Sequence, residues 1–405
     1  MTAPIDLSAF VRSGSTRRTA VGLILGAPLM AGCAGVQSNL SNFGGIFSSE
    51  PTPGPAGPQQ QPTAVGSGQV RVGVILPLSG AGNAGVAAQS MKNAAEMALA
   101  EFQAPNIQLL VKDDAGTPQG AQAGAQQAVD EGAEIIIGPL FAAAVPAVAN
   151  IARTRGIPVI AFSTDSSVAG RGVYLLSFLP ESDVNRIVDY AAGTGKRSFA
   201  AMLPENAYGN VVEAAFKQAV SRRGGRIVAF ERYSGDRASA SRALEPALPS
   251  ADALFLADDG EQLVVTAESI VATGANLKRL QLIGTGLWDN PAVFNYAPLQ
   301  GGLYAAPDNA GYRAFANRYR AKFGRDPVRT ATLAYDAVAL VAALAKTQGG
   351  QRFAPETLTN PSGFAGIDGL FRFKADGTND RGLAVLRVAA GGGQLVAGSP
   401  KSFGA

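Results

Sequence analysis

The side chains that could do chemistry in this 405-residue chain are carboxylates and hydroxyls, because it contains no histidine and a single cysteine, Cys33. A Ser-His-Asp triad, a Cys-His dyad and a zinc site built from His and Cys cannot be assembled from such a chain. Carboxylates can act as acid and base, and two pairs of adjacent aspartates occur, Asp113-Asp114 and Asp258-Asp259. Adjacent residues on a strand point to opposite faces, so neither pair is predicted to be a catalytic dyad. We therefore expect no enzyme, no catalytic residue and no metal site.

The elements that must position these side chains alternate between short β-rich runs and helical patterns. The predicted strands cover 70–78, 107–113, 133–138, 157–162, 173–178, 197–203, 226–233, 251–257 and 280–286. The predicted helices cover about 86–102, 118–131, 142–155, 183–192, 209–222, 237–247 and 260–273. Apolar strands separated by helices indicate parallel sheets that are covered on both faces. Because the alternation begins again after about residue 183, we expect an α/β fold with two lobes.

The N-terminal segment has the features of a secretory leader. Arg17-Arg18 precede the apolar stretch 20–30, whose length suits a signal peptide and falls short of the ~20 residues that a spanning helix needs. "LMAGC" resembles the lipobox of bacterial lipoproteins, which implies that 1–33 is a signal peptide and that Cys33 becomes the lipidated N-terminus. The alternative is a buried cysteine beside an ordinary cleavage site.

The following residues, 34–69, are rich in Gly, Pro, Ser and Gln and lack hydrophobic periodicity. They are predicted to be a disordered tether with an r.m.s. reach on the order of 30 Å. Through the acyl chains of Cys33 the protein would then contact a lipid bilayer. Ala34 after the cysteine resembles an outer-membrane sorting signal, so we expect a lipid-anchored periplasmic protein with the outer membrane favoured.

Several segments in a fixed order resemble the type I periplasmic binding proteins of the leucine/isoleucine/valine-binding kind. They are "VGVILPLSG", "KDDAGTPQGAQAGAQQAVDEGAEIIIGP", "GIPVIAFSTD", "LPENAYGN" and "FGRDP". The resemblance implies two Rossmann-like lobes with parallel sheets, joined by three crossovers near 176–183, 304–310 and 363–372. Lobe 1 would comprise 70–180 plus 308–365, and lobe 2 would comprise 181–307 plus 366–400, with a ligand held between them.

The same resemblance nominates a set of ligand-binding positions. They are Ser79, Leu140, Phe141, Ala142, Ser163, Thr164, Tyr208, Asp258, Asp259 and Trp288. Ala142 stands where amino-acid binders have a serine for the ligand carboxylate, so only backbone N–H groups and the helix dipole remain there. The hydroxyls of Ser163 and Thr164 match a second ligand contact, although such a polar cluster can also be a capped turn.

In the second lobe Tyr208 matches an aromatic residue of the ligand cleft. Gly286 stands where amino-acid binders have an acid for the ligand ammonium group, and Asp258, Asp259 or Asp289 could substitute for it, although a helix N-cap is an alternative role for Asp258 or Asp259. Trp288, the only tryptophan, lies in a predicted loop and is expected to contact a ligand or partner rather than to fill the core.

Two further classes of function are not expected. Gly80 to Gly85 satisfies the pattern G-x-G-x-x-G of dinucleotide sites, but the run Leu76-Pro77-Leu78-Ser79 precedes its first glycine and the same stretch resembles the binding proteins, so no cofactor is predicted. The formal net charge is +3, without a basic run or an interleaved aromatic patch, which predicts no nucleic acid partner.

The leading hypothesis is a membrane-anchored, substrate-binding component of an ABC-type importer for an amino acid or a related small molecule, with an ABC permease as its partner. The alternative is an outer-membrane lipoprotein that activates a penicillin-binding protein, a murein synthase, and whose ligand cleft is degenerate. The ligand would be small and polar, either amino-acid-like or derived from murein.

Overall fold

The computed structural model describes residues 4–7 and 63–403. Cys33 and residues 34–62 of the predicted tether lie outside the described residues. The strands of the described ranges are β1 Ile5–Asp6, β2 Thr63–Val65, β3 Val70–Leu76, β4 Ile107–Asp113, β5 Ile135–Ile137, β6 Val159–Ala161, β7 Val173–Leu175, β8 Ser198–Pro204, β9 Arg226–Tyr233, β10 Ala253–Leu256, β11 Gln281–Gly284, β12 Leu303–Ala306, β13 Phe364–Gly366, β14 Gly369–Phe373, β15 Asn379–Arg381, β16 Ala384–Ala389 and β17 Gly392–Ala397. The α-helices there are Asn83–Glu101, Pro118–Asp130, Val145–Arg153, Pro180–Gly193, Ala207–Arg222, Arg237–Leu244, Gly260–Val271, Pro291–Asn295, Asn309–Phe323, Ala331–Thr347 and Pro355–Leu358.

The first sheet has the order β2-β4-β3-β5-β6-β7, and all of its pairings are parallel except that of β2 with β4. Successive residues of its strands enter two separate cores, because side chains alternate between the faces of a sheet. Val74 and Ile137 join the core that contains the helices Asn83–Glu101 and Ala331–Thr347. Ile75 and Ile136 join the core that contains the helices Pro118–Asp130 and Val145–Arg153. The sheet is therefore covered on both faces.

The second sheet has the order β17-β16-β12-β11-β10-β8-β9. Strands β8 to β12 pair in parallel, whereas β16 and β17 join as an antiparallel extension. Its two faces also enter separate cores, one through Met202 and Leu254 and the other through Phe199 and Phe255. Two parallel-rich sheets with helices on both faces confirm the predicted α/β fold class.

A third, smaller sheet has the order β1-β13-β14-β15. Phe364, Phe371 and Phe373 of this sheet belong to the core beneath the first sheet. The chain leaves the first sheet after Leu175 and re-enters the second sheet at Ala384. The last passage into the second sheet thus follows β15. The three crossovers and the boundaries of the two lobes stay predictions.

Two segments that were assigned to the leader and the tether belong to the folded structure. Thr63–Val65 pairs with β4, so the predicted tether ends before residue 63 rather than at 69. Ile5–Asp6 pairs with β13, inside the range predicted to be the signal peptide. In the described part of the chain, no helix combines the length and the hydropathy that crossing a membrane requires.

Candidate functional site

The loop after β5 offers a ligand no polar side chain. Leu140 is 7% exposed and fills the core of the first sheet, while Phe141 packs against the same core and Ala142 is half-buried. A 3-10 turn, Ala142–Ala144, leads directly into the helix Val145–Arg153, and no side chain caps either start. The backbone N–H groups of this turn are consequently the polar groups that the loop can present, together with the positive end of the helix dipole.

The loop after β3 carries the exposed Ser79. Its backbone N–H donates to Oδ1 of Asp113 at 3.2 Å, and Ala115 N–H donates to the same oxygen at 2.9 Å. Asp113 therefore holds two neighbouring loops together instead of serving as a free acid.

The turn after β6 is capped internally. Ser163 is 3% exposed, and its Oγ accepts from the backbone N–H of Asp165 at 3.0 Å. Asp165 in turn accepts from Ser167 N–H at 2.9 Å. The Ser163 oxygen thus has the turn-capping role that was the alternative to ligand binding, although its O–H can still donate. Thr164 is half-buried beside it.

Asp114, the neighbour of Asp113, is fully buried at the end of β4. Its Oδ1 accepts from Gly116 N–H at 2.8 Å, whereas its Oδ2 has no hydrogen-bond partner among the described residues. Burial, only partly offset by this bond, raises the pKa of Asp114 to about 7. The described residues contain no cluster of three or more metal-binding side chains.

The loops after β8 and β11 meet through a tyrosine. The hydroxyl of Tyr208, near the start of the helix Ala207–Arg222, lies 2.8 Å from Oγ1 of the buried Thr285. Tyr208 is half-buried, and burial raises the pKa of its hydroxyl, so the group is neutral and can donate. Tyr208 thereby lies against Thr285, the residue before Gly286.

The place beside Gly286 is taken by a carboxylate that sequence reasoning did not single out. Oδ2 of Asp183, in the first turn of the helix Pro180–Gly193, accepts from Gly286 N–H at 2.9 Å. A Cβ atom at position 286 would lie 3.2 Å from the same oxygen and 3.3 Å from the carbonyl of Ala305, which favours glycine there. Burial raises the pKa of Asp183 to about 7, against the lowering effects of the Gly286 bond and Arg381.

Asp258 and Asp259, after β10, have different surroundings. Asp258 is 8% exposed; its Oδ2 accepts from the hydroxyl groups of Tyr233 and Thr266, and the guanidinium of Arg237 lies 3.7 Å away. Asp259 is half-buried and occupies the N-cap position of the helix Gly260–Val271 without a side-chain capping bond. Asp259 therefore takes the suggested N-cap position without a capping bond from its carboxylate, and Asp258 is held in an internal network.

Trp288 is fully buried, which corrects the prediction of a ligand or partner contact. Its indole N–H donates to the carbonyl of Leu256 at 3.0 Å. The ring lies against Gly284 and Gly302, where added Cβ atoms would be 2.0 and 2.8 Å from it. Two glycines therefore make the space that the tryptophan fills in the core of the second sheet.

A buried group of charges lies where the chain passes between the sheets. Arg329 makes a two-pronged ion pair with Asp368, with N–O distances of 2.8 and 2.5 Å. The guanidinium groups of Arg329 and Arg381 lie 4.9 and 4.5 Å from the ring of Phe178. Nε of Arg381 donates to the carbonyl of Ser177 at 2.8 Å. These contacts connect the segment that leaves the first sheet with the segment that enters the second.

This group was not predicted, because its members are far apart in sequence and no short motif marks them. Asp336 shares the region: its Oδ1 accepts from Ile367 N–H at 2.9 Å, and burial raises its pKa to about 7. An acidic residue in the first turn of a helix, as at Asp183, is also common on purely structural grounds. The sequence therefore carries no signal for the buried group of charges or for the position of Asp183 beside Gly286.

Comparison with known proteins gives one family. Residues 69–393 match the family model described as periplasmic binding protein. An uncharacterized protein of Rickettsia prowazekii is 20% identical over 213 residues, which cover 50% of this chain and 56% of that protein.

Solved structures share the fold at low sequence identity. A putative branched-chain amino acid ABC transporter from Rhodospirillum rubrum is 20% identical, with a TM-score of 0.72 over 81% of this chain and 99% of that chain. A leucine binding protein from Thermotoga maritima is 21% identical, with a TM-score of 0.55 over 81% and 98%. An ABC transporter solute binding protein from Rhodopseudomonas palustris, in complex with 3,4-dihydroxybenzoic acid, is 22% identical, with a TM-score of 0.56 over 82% and 97%.

Proposed function

Because this chain belongs to the periplasmic binding protein family, we propose that it is the ligand receptor of an ABC-type importer and that its ligand carries both a carboxylate and a protonated amine. The carboxyl-end loops of the two sheets form the walls of the ligand cleft. The wall from the first sheet supplies N–H and hydroxyl donors, and the wall from the second sheet supplies carboxylates.

The observation that carries this proposal is the position of Asp183 beside Gly286. The missing acid at position 286 argues against an amino-acid ligand only if no other carboxylate takes its place. Asp183 lies against the backbone of that residue, and one of its oxygens is fixed by the 2.9 Å bond from Gly286 N–H. Its other oxygen accepts the ligand amine, with the Tyr208–Thr285 pair alongside.

The ligand carboxylate lies at the start of the turn Ala142–Ala144. Backbone N–H groups at an uncapped helical start attract an anion without any side-chain donor. Ser79 and Thr164 add hydroxyl donors on the same wall. The related structure with 3,4-dihydroxybenzoic acid shows that this fold also accommodates an acid without an amine, so the amine is the feature that a test must address.

The receptor is attached to the membrane through Cys33 and a tether that ends before residue 63. This part of the proposal rests on the sequence features of the leader. Palmitate labelling of the wild-type chain and of Cys33→Ser in a bacterial host tests it: we expect label on the wild-type protein alone, in the membrane fraction.

Isothermal calorimetry against matched ligand pairs tests the receptor function. Each amino acid is paired with its deaminated acid, and benzoates and murein peptides complete the panel. We expect binding of one or more amino acids, and a 10- to 100-fold loss of that affinity in Asp183→Asn with little change for the deaminated acid. Asp189→Asn, at a carboxylate farther along the same helix that pairs with Arg222 and Arg223, is the control.

Binding of the deaminated acids alone would contradict the amine requirement and leave a receptor for simple carboxylates. A panel without any binding would contradict the receptor function itself. The alternative of a murein synthase activator stays a prediction, and co-purification with a penicillin-binding protein in place of a permease would support it.

A further inference from the structure

The edge of β13 is occupied by a segment from the far N-terminus of the chain. Ile5 and Asp6 pair in parallel with Phe364 and Ala365, and the backbone N–H of Ile5 donates to the carbonyl of Gly363 at 3.1 Å. β1 is the outermost strand of its sheet, so one edge of β13 faces β1 and the other faces β14. The contact therefore has the geometry of an added edge strand.

A side chain as well as the backbone fixes this segment. Leu7 is 3% exposed and joins the apolar core that contains Phe364 and Phe371, and Ile5 packs against the same core. Asp6, between them, is exposed. The core around Phe364 and Phe371, here called the Leu7 seat, thus holds the Ile-Asp-Leu sequence through two apolar side chains, Ile5 in the strand and Leu7 in the 3-10 turn that follows it.

The occupying residues lie inside the range 1–33 that the sequence analysis assigns to a removable leader. If the leader is removed, β13 becomes an edge strand with unpaired N–H and C=O groups, beside an unfilled apolar seat. Such an edge is a template for pairing with another chain. Strand addition of this kind takes its affinity from main-chain bonds and its specificity from side-chain pockets.

We propose that the edge of β13 and the Leu7 seat form a docking site for an extended segment of a partner polypeptide with the pattern apolar-polar-apolar. The residues Ile5 to Leu7 occupy this site in the chain that retains its N-terminus. The site is separate from the ligand cleft, so this proposal does not depend on the identity of the ligand.

The site also lies against the buried charges that connect the two sheets. The residue after β13, Ile367, donates its N–H to Asp336 at 2.9 Å, and Asp368 follows it with its ion pair to Arg329. A segment that binds along β13 would therefore contact the strand that leads straight into this group. The partner would thus lie next to the buried charges that connect the two sheets.

Hydrogen exchange and peptide binding test the proposal on the full chain. Ile5→Pro removes the N–H that donates to Gly363 without burying a charge, and Leu7→Asp empties the apolar seat. Leu395→Asp, at a leucine that is 56% exposed in β17, is the matched control. The probe is a fluorescently labelled peptide with the sequence of residues 2–10, and a second peptide carries Asp at the position of Leu7.

We expect amide exchange at Ala365, whose N–H faces β1, to be at least tenfold faster in Ile5→Pro and Leu7→Asp than in the wild-type chain and the Leu395→Asp control. The labelled peptide should bind at least tenfold more tightly to the two variants than to the wild-type chain, and the Asp-containing peptide should not bind.

Unchanged exchange at Ala365 in Ile5→Pro would overturn the proposal. Equal binding of the two peptides would overturn it as well, because the Leu7 seat would then carry no specificity. Since Ile5→Pro changes only an edge strand, its fold is expected to be retained, and circular dichroism verifies this for each variant.

Discussion

The carboxyl-end loops of the two sheets differ in how their polar groups are already used. In the first sheet the turn Ala142–Ala144 has no side-chain cap, so its N–H groups are not taken by a neighbouring side chain. In the second sheet the carboxylates are held: Asp183 by Gly286 N–H, and Asp258 by Tyr233 and Thr266. Donors are thus presented on one side and oriented acceptors on the other.

Because of this difference, the loops of the first sheet and those of the second sheet contribute unequally to ligand selection. Backbone donors bind any carboxylate of suitable size, so they contribute affinity more than discrimination. A buried carboxylate such as Asp183 favours ligands with a matching cation, because without one it must take up a proton or stay unpaired. Specificity is therefore expected to reside in the second sheet.

The largest effect should be the change of the free energy of unfolding with pH that Asp114 of the first sheet causes. It should leave ligand affinity unchanged, in contrast to a change at Asp183 of the second sheet. The folded-state pKa of Asp114 is about 7 and its unfolded value is near 3.9, so the folded protein binds the proton more tightly. As the pH rises between those two values, the contribution of this group should lower the free energy of unfolding by about 1.4 kcal/mol per pH unit. We expect Asp114→Asn to make the pH dependence between pH 4 and 7 less steep in urea titrations by this one contribution, with those of Asp183 and Asp336 retained, and without any change in ligand affinity. A parallel loss of affinity would show that Asp114 also contacts ligand.

The next effect compares the adjacent carboxylates after β10. Asp258→Ala leaves Tyr233, Thr266 and Arg237 without their buried acceptor and should cost about 3 kcal/mol of stability. Asp259→Ala should change stability by no more than about 0.5 kcal/mol, because Asp259 makes no capping bond. Chemical denaturation of both variants measures the contrast, and similar costs would mean that the network is not what holds Asp258.

At Ala142, in the turn after β5, one substitution should strengthen carboxylate binding and another should weaken it. Ala142→Ser adds a hydroxyl donor and should strengthen carboxylate binding by about 1 kcal/mol, roughly fivefold. Ala142→Asp places a negative charge at the same helical start and should weaken carboxylate binding by at least a similar amount. Calorimetry with the best ligand checks both. If the two variants bind alike, the carboxylate does not lie at this turn.

The smallest effect concerns the Tyr208–Thr285 pair. A double-mutant cycle of Tyr208→Phe and Thr285→Val should give a coupling energy of about 0.5–1 kcal/mol in the stability of the unliganded protein. With an amine ligand bound, we expect the coupling to change, since the tyrosine hydroxyl lies beside the proposed amine site. A coupling that is the same in both states would place the ligand elsewhere.

The sequence could predict the repeating parts of the fold. Residues 107–113 and 226–233 were predicted as strands and are β4 and β9, because apolar runs between glycines and helix caps carry a strong local signal. The pairing of Ile5–Asp6 with β13 was not predicted, since it joins residues that are more than 350 positions apart. In addition, the sequence of this segment was interpreted as part of a signal peptide, whereas the structure has an edge strand there.

The positions of the candidate ligand site stay a prediction, and some of the roles predicted for its residues are wrong. Tyr208 and Thr164 remain candidates, whereas Leu140 and Trp288 lie in the cores. An amino-acid type in a loop does not reveal which way its side chain points, and Trp288 turns inward because Gly284 and Gly302 leave room for its ring. Asp183 escaped notice because its role depends on Gly286, 103 positions away in the chain.

The burial of Trp288 has a spectroscopic consequence. As the only indole in the chain, it sits in an apolar core with its N–H bonded to a carbonyl, so its emission should be blue-shifted and poorly quenched by iodide. Intrinsic tryptophan fluorescence will then report the melting of the second sheet and remain almost silent to ligand. A solute titration that is followed only by that signal would give a false negative.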